Sequence, residues 1–373
     1  MKKIYLDNQS TTPVDPEVLE YMLPYFTDKF GNASSKTHSY GWEAEATIEL
    51  ARESIAKLIN CNPNEIIFTS GATESNNIAL ANNDLNHILT LSTEHKAILD
   101  ICEVLSKNGV SITYIKPTKD GIIDLDVFKG KLKKNTSLVS VMHAHNEIGV
   151  IQPIEEIGQT CRNKDIVFHV DAAQSIGKIN IDVKKMNIDL MSISSHKNYG
   201  PKGIGALYIN HKIRHKVKPL FYGGSQENGY RPGTLPVPLI AGFGKACDIS
   251  SEKIKNESKK ILDLRNLFIK EVTKEIPDTI INGCLHKRLP GNINLTFPSL
   301  RGQSIIASLP GIALSSGSAC TSSSPKASHV LLELGLSKKL SNSSIRIGIG
   351  RFNTKEELMT AANSIIKAVK LKS

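Results

Sequence analysis

From Glu65 onward the sequence alternates short apolar runs with segments of helical periodicity, and this alternation constrains the fold more than any other feature. The apolar runs lack polar alternation, which is typical of strands buried on both faces. The predicted strands are residues 66–69, 88–91, 110–115, 138–142, 166–170 and 190–193, and the predicted helices are 75–81, 97–107, 124–132 and 153–162. We therefore expect an α/β fold in which helices cover a mostly parallel sheet.

The length of the chain predicts two domains. Its 373 residues exceed the size at which one hydrophobic core stops growing. We expect a large domain over residues 1–247 and a smaller α+β domain over 248–373, with strands at 293–297, 313–315 and 345–349. The first 15 or so residues are expected to pack with the smaller domain.

Composition and targeting signals exclude several classes of protein. No apolar run approaches the length needed to cross a bilayer, and Met1 leads into Ile4 without a signal-peptide core, so a cytoplasmic location is expected. The net charge of +10 is spread along amphipathic segments, which favours a solvated face over stable nucleic-acid binding. Six scattered cysteines without a C-x-x-C pair argue against a zinc site and a disulfide framework.

Polar residues follow four of the predicted strands. In parallel sheets ligands bind beyond the carboxyl ends of the strands, so these residues are expected to share one site. The turn Ser70-Gly71 opens a helix whose free N–H groups would bind an anion. His95, His143 and Asp171 follow the three other strands. Taken singly, each also fits a structural role: an N-capped helix, a satisfied histidine or a carboxylate paired within the fold.

A further predicted strand, residues 190–193, is followed by Lys197 in the run Ser194-Ser195-His196-Lys197. A lysine held beside hydroxyls and an imidazole suits Schiff-base chemistry, although a surface lysine in a loop gives the same pattern. His143 and His145 would share a strand face, but no third ligand lies nearby in sequence, so we set a metal site there aside. An anion cup, an imidazole, a carboxylate and a lysine at one sheet edge are the components of a pyridoxal-phosphate site.

Eight short motifs give this combination a family resemblance. They are Y-L-D-N at 5–8, T-S-G-A-T-E-S-N at 69–76, T-E-H-K at 93–96, N-E-I-G at 146–149, H-V-D-A-A-Q at 169–174, S-S-H-K at 194–197, R-P-G-T at 231–234 and S-S-G-S-A-C-T at 315–321. In this order they resemble the cysteine desulfurases of the NifS/IscS family, which are class V, fold-type I pyridoxal-phosphate enzymes. The likeness covers nearly the whole chain, from Tyr5 to Arg351.

The resemblance implies a role for each matching residue. Lys197 would hold pyridoxal 5'-phosphate covalently, Asp171 would keep its ring nitrogen protonated, and His95 would stack on the ring and act as acid and base. Ala72, Thr73, Ser194 and His196 would hold the phosphate, Asn146 and Gln174 would contact the ring substituents, and Asn146 and Arg346 would bind the substrate. Thr234 would reach the phosphate of the neighbouring subunit, which implies a homodimer.

Cys320 is the implied nucleophile. It lies among small polar residues between Gly317 and Pro325, a composition that favours a loop able to carry a thiol from a buried cofactor to an outside acceptor. The family reaction would convert L-cysteine into L-alanine and a persulfide on Cys320. The sulfur would pass to a scaffold or carrier protein for iron–sulfur cluster assembly, with tRNA thiolation as a second destination. Cys320 would also be a ligand if a cluster were shared with the scaffold.

The sequence departs from the family pattern at several positions. Ser195 replaces a usual glycine, Pro232 a usual serine, Ala173 a frequent threonine and His145 a common asparagine. The sequence ends at Ser373, whereas longer relatives carry a tail that contacts the scaffold, so that mode of docking is left open. Two alternatives are also open: another pyridoxal-phosphate reaction, such as selenocysteine lysis or amino transfer, and a docking platform without catalysis.

Overall fold

Strands and helices alternate along the chain, which a computed structural model describes over residues 3–81, 85–316 and 327–371. The strands of these ranges are β1 (Ile4–Tyr5), β2 (Ile66–Thr69), β3 (His87–Leu91), β4 (Ser111–Ile115), β5 (Leu138–Met142), β6 (Val167–Asp171), β7 (Leu190–Ser194), β8 (Gly205–Ile209), β9 (Ile280–Ile281), β10 (Asn292–Thr296), β11 (Ile312–Ala313), β12 (Ser315–Ser316) and β13 (Ser344–Gly348). The α-helices are α1 (Pro16–Met22), α2 (Pro24–Thr27), α3 (Ser39–Ile59), α4 (Ala72–Leu80), α5 (Lys96–Lys107), α6 (Leu125–Lys131), α7 (Ile154–Asn163), α8 (Val237–Glu275), α9 (Gly302–Ala307), α10 (His329–Glu333), α11 (Lys338–Asn342) and α12 (Lys355–Lys370).

The main sheet has the strand order β2-β8-β7-β6-β5-β3-β4. Strand β8 runs antiparallel to both of its neighbours, and the other pairs in the sheet are parallel. The predicted mostly parallel sheet is therefore confirmed. Strands β2, β3, β5, β6 and β7 all point the same way, so the polar residues that follow them lie along one edge.

Both faces of this sheet are buried, because its strands are apolar at successive positions. In β2, Ile66 and Phe68 belong to the core beneath one face, while Ile67 belongs to the core on the other face. Side chains alternate across a strand, so a continuous apolar run supplies both cores. Helices cover the two faces, and no helix in the described ranges is long and apolar enough to cross a bilayer.

The first helical segment differs from what its apolar periodicity indicates. A single helix is expected over residues 16–26, but α1 ends at Met22 and α2 begins at Pro24. Proline has no N–H to donate to the preceding turn, which interrupts the helix there. Asp15 fixes the start of α1, because its carboxylate accepts the Glu17 N–H at 3.1 Å.

A second, antiparallel sheet has the order β12-β13-β10-β9. It packs on α12 and the end of α8 through a separate core that includes Phe268, Ile293 and Ile347. Strand β1 pairs with β11, and Ile4 joins this second core. The N-terminal strand thus packs against the C-terminal part of the chain.

Helix α8 connects the two cores. Its first half places Phe243 in the core of the main sheet, and its second half places Phe268 in the core of the second sheet. The sequence favours a smaller domain that begins near Asp248, after a linking helix, but Asp248 lies inside this unbroken helix. The division into residues 1–247 and 248–373 stays a prediction.

Candidate active site

A cavity of about 410 Å³ opens at the carboxyl edge of the main sheet. The residues around it come from the ends of β2, β5, β6 and β7 and from the turn after β3. The predicted site residues among them are Ala72, Thr73, His95, Asn146, Asp171, Gln174, Ser194, His196 and Lys197. The fold therefore brings together residues that lie as much as 125 positions apart in sequence, from Ala72 to Lys197.

The junction of β2 and α4 forms one wall of the cavity. Gly71, with φ of 150°, precedes Ala72, and no side chain of the described residues caps this nine-residue helix. The first N–H groups of a helix have no partner within the helix, so this end offers donors and a positive dipole. The Ser70 N–H is engaged by Glu74 at 2.6 Å, and Glu74 also accepts from Arg231 at 3.0 Å.

Asp171 ends β6 and is buried. One carboxylate oxygen accepts the Ala173 N–H at 2.9 Å, and the other accepts the Asn76 amide at 2.9 Å. These donors fix the carboxylate at the cavity wall without neutralising its charge. A buried charge is costly unless it meets a positive partner, so the arrangement favours a cationic group in the cavity.

Lys197 follows β7 in a 3₁₀ turn formed by Ser195–Lys197. Its Nζ donates to the carbonyl oxygen of Gln9 at 3.1 Å. The same carbonyl accepts the Gln174 side-chain amide at 2.8 Å. The N-terminal segment therefore holds both side chains at the cavity, although it belongs to a distant part of the sequence.

Two histidines in the cavity have lowered pKa values. His95 caps the start of α5: its Nδ1 accepts the Ala97 N–H at 3.1 Å, which leaves Nε2 to carry the proton of the neutral ring. Burial, together with the positive charge of Lys197, lowers the pKa of His95. Burial and Lys197 lower the pKa of His196 to about 4, and its Nδ1 lies 3.0 Å from Thr11 Oγ1. His196 is therefore a neutral hydrogen-bonding group at pH 7.

His143 and His145 are buried behind the cavity. Burial lowers their pKa values to about 4 and about 3, so both are neutral at pH 7. His145 Nε2 donates to the Thr93 carbonyl at 2.8 Å, and its Nδ1 accepts the Glu147 N–H at 3.0 Å. The residue that departs from the family pattern at 145 thus links the segment before His95 to the segment after Asn146.

Two of the predicted site residues that the structure describes do not line this cavity. Arg346 lies on β13, where it donates to Asp7 at 2.8 Å, to Ser10 at 2.5 Å and to the Asn146 carbonyl at 3.1 Å. Thr234 is exposed and away from the cavity of its own chain. Cys320 lies outside the described residues.

Comparison with known proteins decides the family. The sequence model of the aminotransferase class-V family matches residues 4–360. This chain belongs to the aminotransferase class-V family. Its fold therefore agrees with the fold-type I architecture expected from the motifs, and pyridoxal phosphate is the cofactor that this family implies.

Curated relatives and solved structures place the chain more closely within the class-V family. It is 51% identical over 372 residues to cysteine desulfurase IscS of Rickettsia typhi, covering 98% of this chain and 91% of that protein. It is 51% identical over 376 residues to the mitosomal cysteine desulfurase of Encephalitozoon cuniculi, covering 99% and 87%. A structure titled NifS-like protein superposes with a TM-score of 0.92 at 34% identity, covering 99% of this chain and all of that one. A structure titled "SspA in complex with cysteine" gives 0.83 at 36% identity, covering 94% and 100%.

Some site contacts of this class-V chain carry no signal in its sequence. Gln9 acts through a backbone carbonyl, which any residue could supply. Asn76 lies in a recognised motif, yet its contact with Asp171 spans 95 positions and depends on the packing of α4 over the sheet. Thr11 contacts His196 from a turn that the sequence indicates only as a loop.

Proposed function

We propose that this chain is a cysteine desulfurase that transfers sulfur from L-cysteine to Cys320 and releases L-alanine. One observation carries the proposal: a lysine amine, a buried strand-end carboxylate and an uncapped helix N-terminus surround a single cavity. Two relatives at 51% identity bear the name cysteine desulfurase, which supports this reaction over others of the family.

The cavity fits pyridoxal phosphate. Its phosphate would meet the free N–H groups at Ala72 and Thr73, with Ser194 and His196 beside them, and the Asp171 carboxylate would meet the protonated ring nitrogen. Gln174 and Asn146 would contact the ring substituents, and His95 would lie against the ring. When bound, the cofactor supplies an electron sink for the negative charge that develops at the substrate Cα.

The residues of the chain would then act in sequence. Lys197 takes the Cα proton of the bound cysteine, and the Cys320 thiolate attacks the substrate sulfur. A sulfur–sulfur bond forms while the substrate carbon–sulfur bond breaks, and the electron pair stays with the carbon skeleton. His95 supplies a proton as that skeleton becomes alanine. One cysteine and one Cys320 thiol thus give one alanine and one persulfide, without any other oxidant or reductant.

Arg346 would bind the substrate carboxylate. Its guanidinium is buried, and its Nε–H makes no hydrogen bond within the described residues. Charge-assisted pairs between arginine and carboxylate are strong and directional. Asn146 would complete this contact, because it lines the cavity and its carbonyl accepts a hydrogen bond from Arg346.

A homodimer would complete the site through Thr234, which is exposed in the single chain. Large exposed side chains that include Phe26, Phe30, Trp42 and Tyr222 supply apolar surface of the kind found at protein interfaces. A mixed dimer of the Lys197→Ala and Thr234→Ala chains tests whether Thr234 acts in the site of the neighbouring subunit or in the site of its own chain. If Thr234 acts across the interface, one site of that dimer is intact and has the wild-type affinity for cofactor; if both sites bind it weakly, Thr234 does not act across.

The acceptor of the sulfur is an iron–sulfur scaffold or a sulfur-carrier protein in this proposal, with tRNA thiolation as a further destination. A cluster shared with such a scaffold would use Cys320 as a ligand. The cytoplasmic location stays a prediction, because one close relative is named as mitosomal.

The test replaces Cys320 with Ala in the holoenzyme, with Cys284→Ala as the matched control. The proposal predicts that Cys320→Ala keeps the visible absorbance of the cofactor but forms no alanine from cysteine, while the control matches wild type. Alanine formation at the wild-type rate without Cys320 would favour a different reaction of the same cofactor. A purified wild-type chain that binds no cofactor would favour the docking platform.

A further inference from the structure

Helix α10 is held against the rim of the candidate active site by three polar contacts. They join Ser92 Oγ to Glu333 at 2.9 Å, His329 Nε2 to the Glu94 carbonyl at 3.4 Å and Ser328 Oγ to Glu147 Oε2 at 2.8 Å. The first two contacts reach the segment that presents His95, and the third reaches the residue after Asn146. One short helix therefore contacts both segments.

Apolar packing already attaches α10 to this rim. Val330, Leu331 and Leu334 form a buried cluster with Ile148 and Val150. Burial of these side chains stabilises the contact but does not fix the orientation of α10, because the hydrophobic effect is non-directional. The hydrogen bond from Ser328 to Glu147 orients the start of the helix, since Ser328 also caps the first turn of α10 by accepting the Leu331 N–H.

Burying the Glu147 carboxyl for this contact costs folding free energy. It is 3% exposed, and its Oε1 has no hydrogen-bond partner within the described residues. Burial raises the pKa of this carboxyl to about 7, although the Ser328 hydrogen bond and the charge of Arg346 oppose the rise. A buried carboxyl with one unpaired oxygen destabilises a fold, so stability alone does not explain it.

We propose that Glu147 is a positioning residue for sulfur transfer, which it serves by fixing Ser328 and with it the start of α10. Cys320 lies eight residues before Ser328 in the sequence. This inference rests on the proposed function, in which the Cys320 thiolate forms the sulfur–sulfur bond as the substrate carbon–sulfur bond breaks. Glu147 touches neither reacting atom and acts through Ser328.

The test compares Glu147→Ala, Ser328→Ala, the double variant and Glu147→Gln as holoenzymes. We expect kcat for alanine formation to fall about tenfold in both alanine variants, while KM for cysteine and cofactor absorbance stay within about twofold of wild type. Glu147→Gln keeps an acceptor for Ser328, so its kcat is expected to stay within about threefold of wild type. The double variant should be no slower than either single variant, because both remove the same hydrogen bond.

Ser337→Ala is the matched control, because Ser337 caps the neighbouring helix α11 without contacting Glu147. It should keep the wild-type kcat. Wild-type kcat in Ser328→Ala, additive losses in the double variant or a parallel loss of cofactor would each overturn the positioning role. A wild-type chain that forms no alanine overturns the proposed function and this inference with it, whereas variants that match an active wild type overturn this inference alone.

Discussion

The carboxyl edge of the main sheet and the surroundings of Arg346 differ in how their polar groups are arranged. At the sheet edge, Asp171 and Lys197 line the cavity, and their hydrogen bonds hold them there. Arg346 lies behind the wall and is engaged by Asp7, Ser10 and Asn146. The polar groups of the first region already face a cavity that a ligand can enter. In the second region, Arg346 must give up a present hydrogen bond or form an additional one before it can bind a ligand. In the proposed function, residues at the edge of the main sheet bind the cofactor, and Arg346 of the second sheet binds the substrate.

The largest effect on activity is expected at the carboxyl edge of the main sheet. In the proposed reaction Lys197 supplies both the covalent attachment and the proton acceptor, so Lys197→Ala should lower kcat by at least about 10³-fold. Stopped-flow or steady-state measurement of alanine formation gives the rate. Lys212→Ala, at an exposed lysine outside the cavity, is the control and should match wild type. Comparable activity in the Lys197 variant would show that the sheet edge does not perform the chemistry.

A smaller and more selective effect is expected at the second region. Arg346→Lys keeps the positive charge near Asp7 but removes the planar fork that binds a carboxylate. KM for cysteine should rise about 10–100-fold, which corresponds to the loss of about 1.5–3 kcal/mol from one charged hydrogen bond. Cofactor affinity should stay within about twofold.

The control for that experiment is Arg265→Lys, at a buried arginine of α8 that contacts the Leu289 carbonyl away from the cavity. It should leave KM unchanged. An Arg346 variant that loses cofactor affinity with unchanged KM would reverse the assignment of the two regions.

The main sheet and the second sheet should also differ in how much stability they lose in acid. His169 lies between Ser140 Oγ at 2.9 Å and Ser192 Oγ at 3.0 Å, and burial lowers its pKa to about 4. The unfolded state, with a pKa near 6.5, takes up a proton first, so stability present above about pH 6.5 is lost as pH falls toward 4. The loss from His169 should be roughly 1–2 kcal/mol by pH 5.

Hydrogen exchange at pH 7 and pH 5 measures this difference. Amides of β5, β6 and β7 should lose protection at pH 5 before those of β10 and β13, whose sequences contain no histidine. His169→Gln should reduce the pH dependence of the main sheet. Equal losses in the two sheets, or an unchanged pH dependence in the variant, would contradict this account.

The sequence predicts the residues at the carboxyl edge of the main sheet well, because the patterns that indicate them lie within short stretches of sequence. A continuous apolar run predicts a buried strand, and the polar residue that ends it predicts a site at the sheet edge, as for Asp171 after β6 and Lys197 after β7. The order of these motifs along the chain then indicates the family. These residues lie at one edge because parallel strands place their carboxyl ends on the same side of the sheet.

The contacts that the sequence does not indicate join distant parts of the chain, and they occur in both regions. The contact of Arg346 with Asp7 spans 339 positions, and neither residue indicates the other by spacing. Lys197 and Gln174 share the carbonyl of Gln9, which has no side-chain signature. The continuation of α8 to Glu275 also escaped the sequence, because its apolar face changes from one core to another along its length.

The central claim is that Lys197 and Cys320 act on the same bound cysteine, and labelled sulfur tests it most directly. The holoenzyme is incubated with sulfur-labelled cysteine, and the peptide that contains Cys320 is analysed by mass spectrometry without reduction. The account predicts label on Cys320 in the wild type and none in Lys197→Ala. Alanine formation with no label on Cys320, or label on Cys320 in the Lys197 variant, would contradict it.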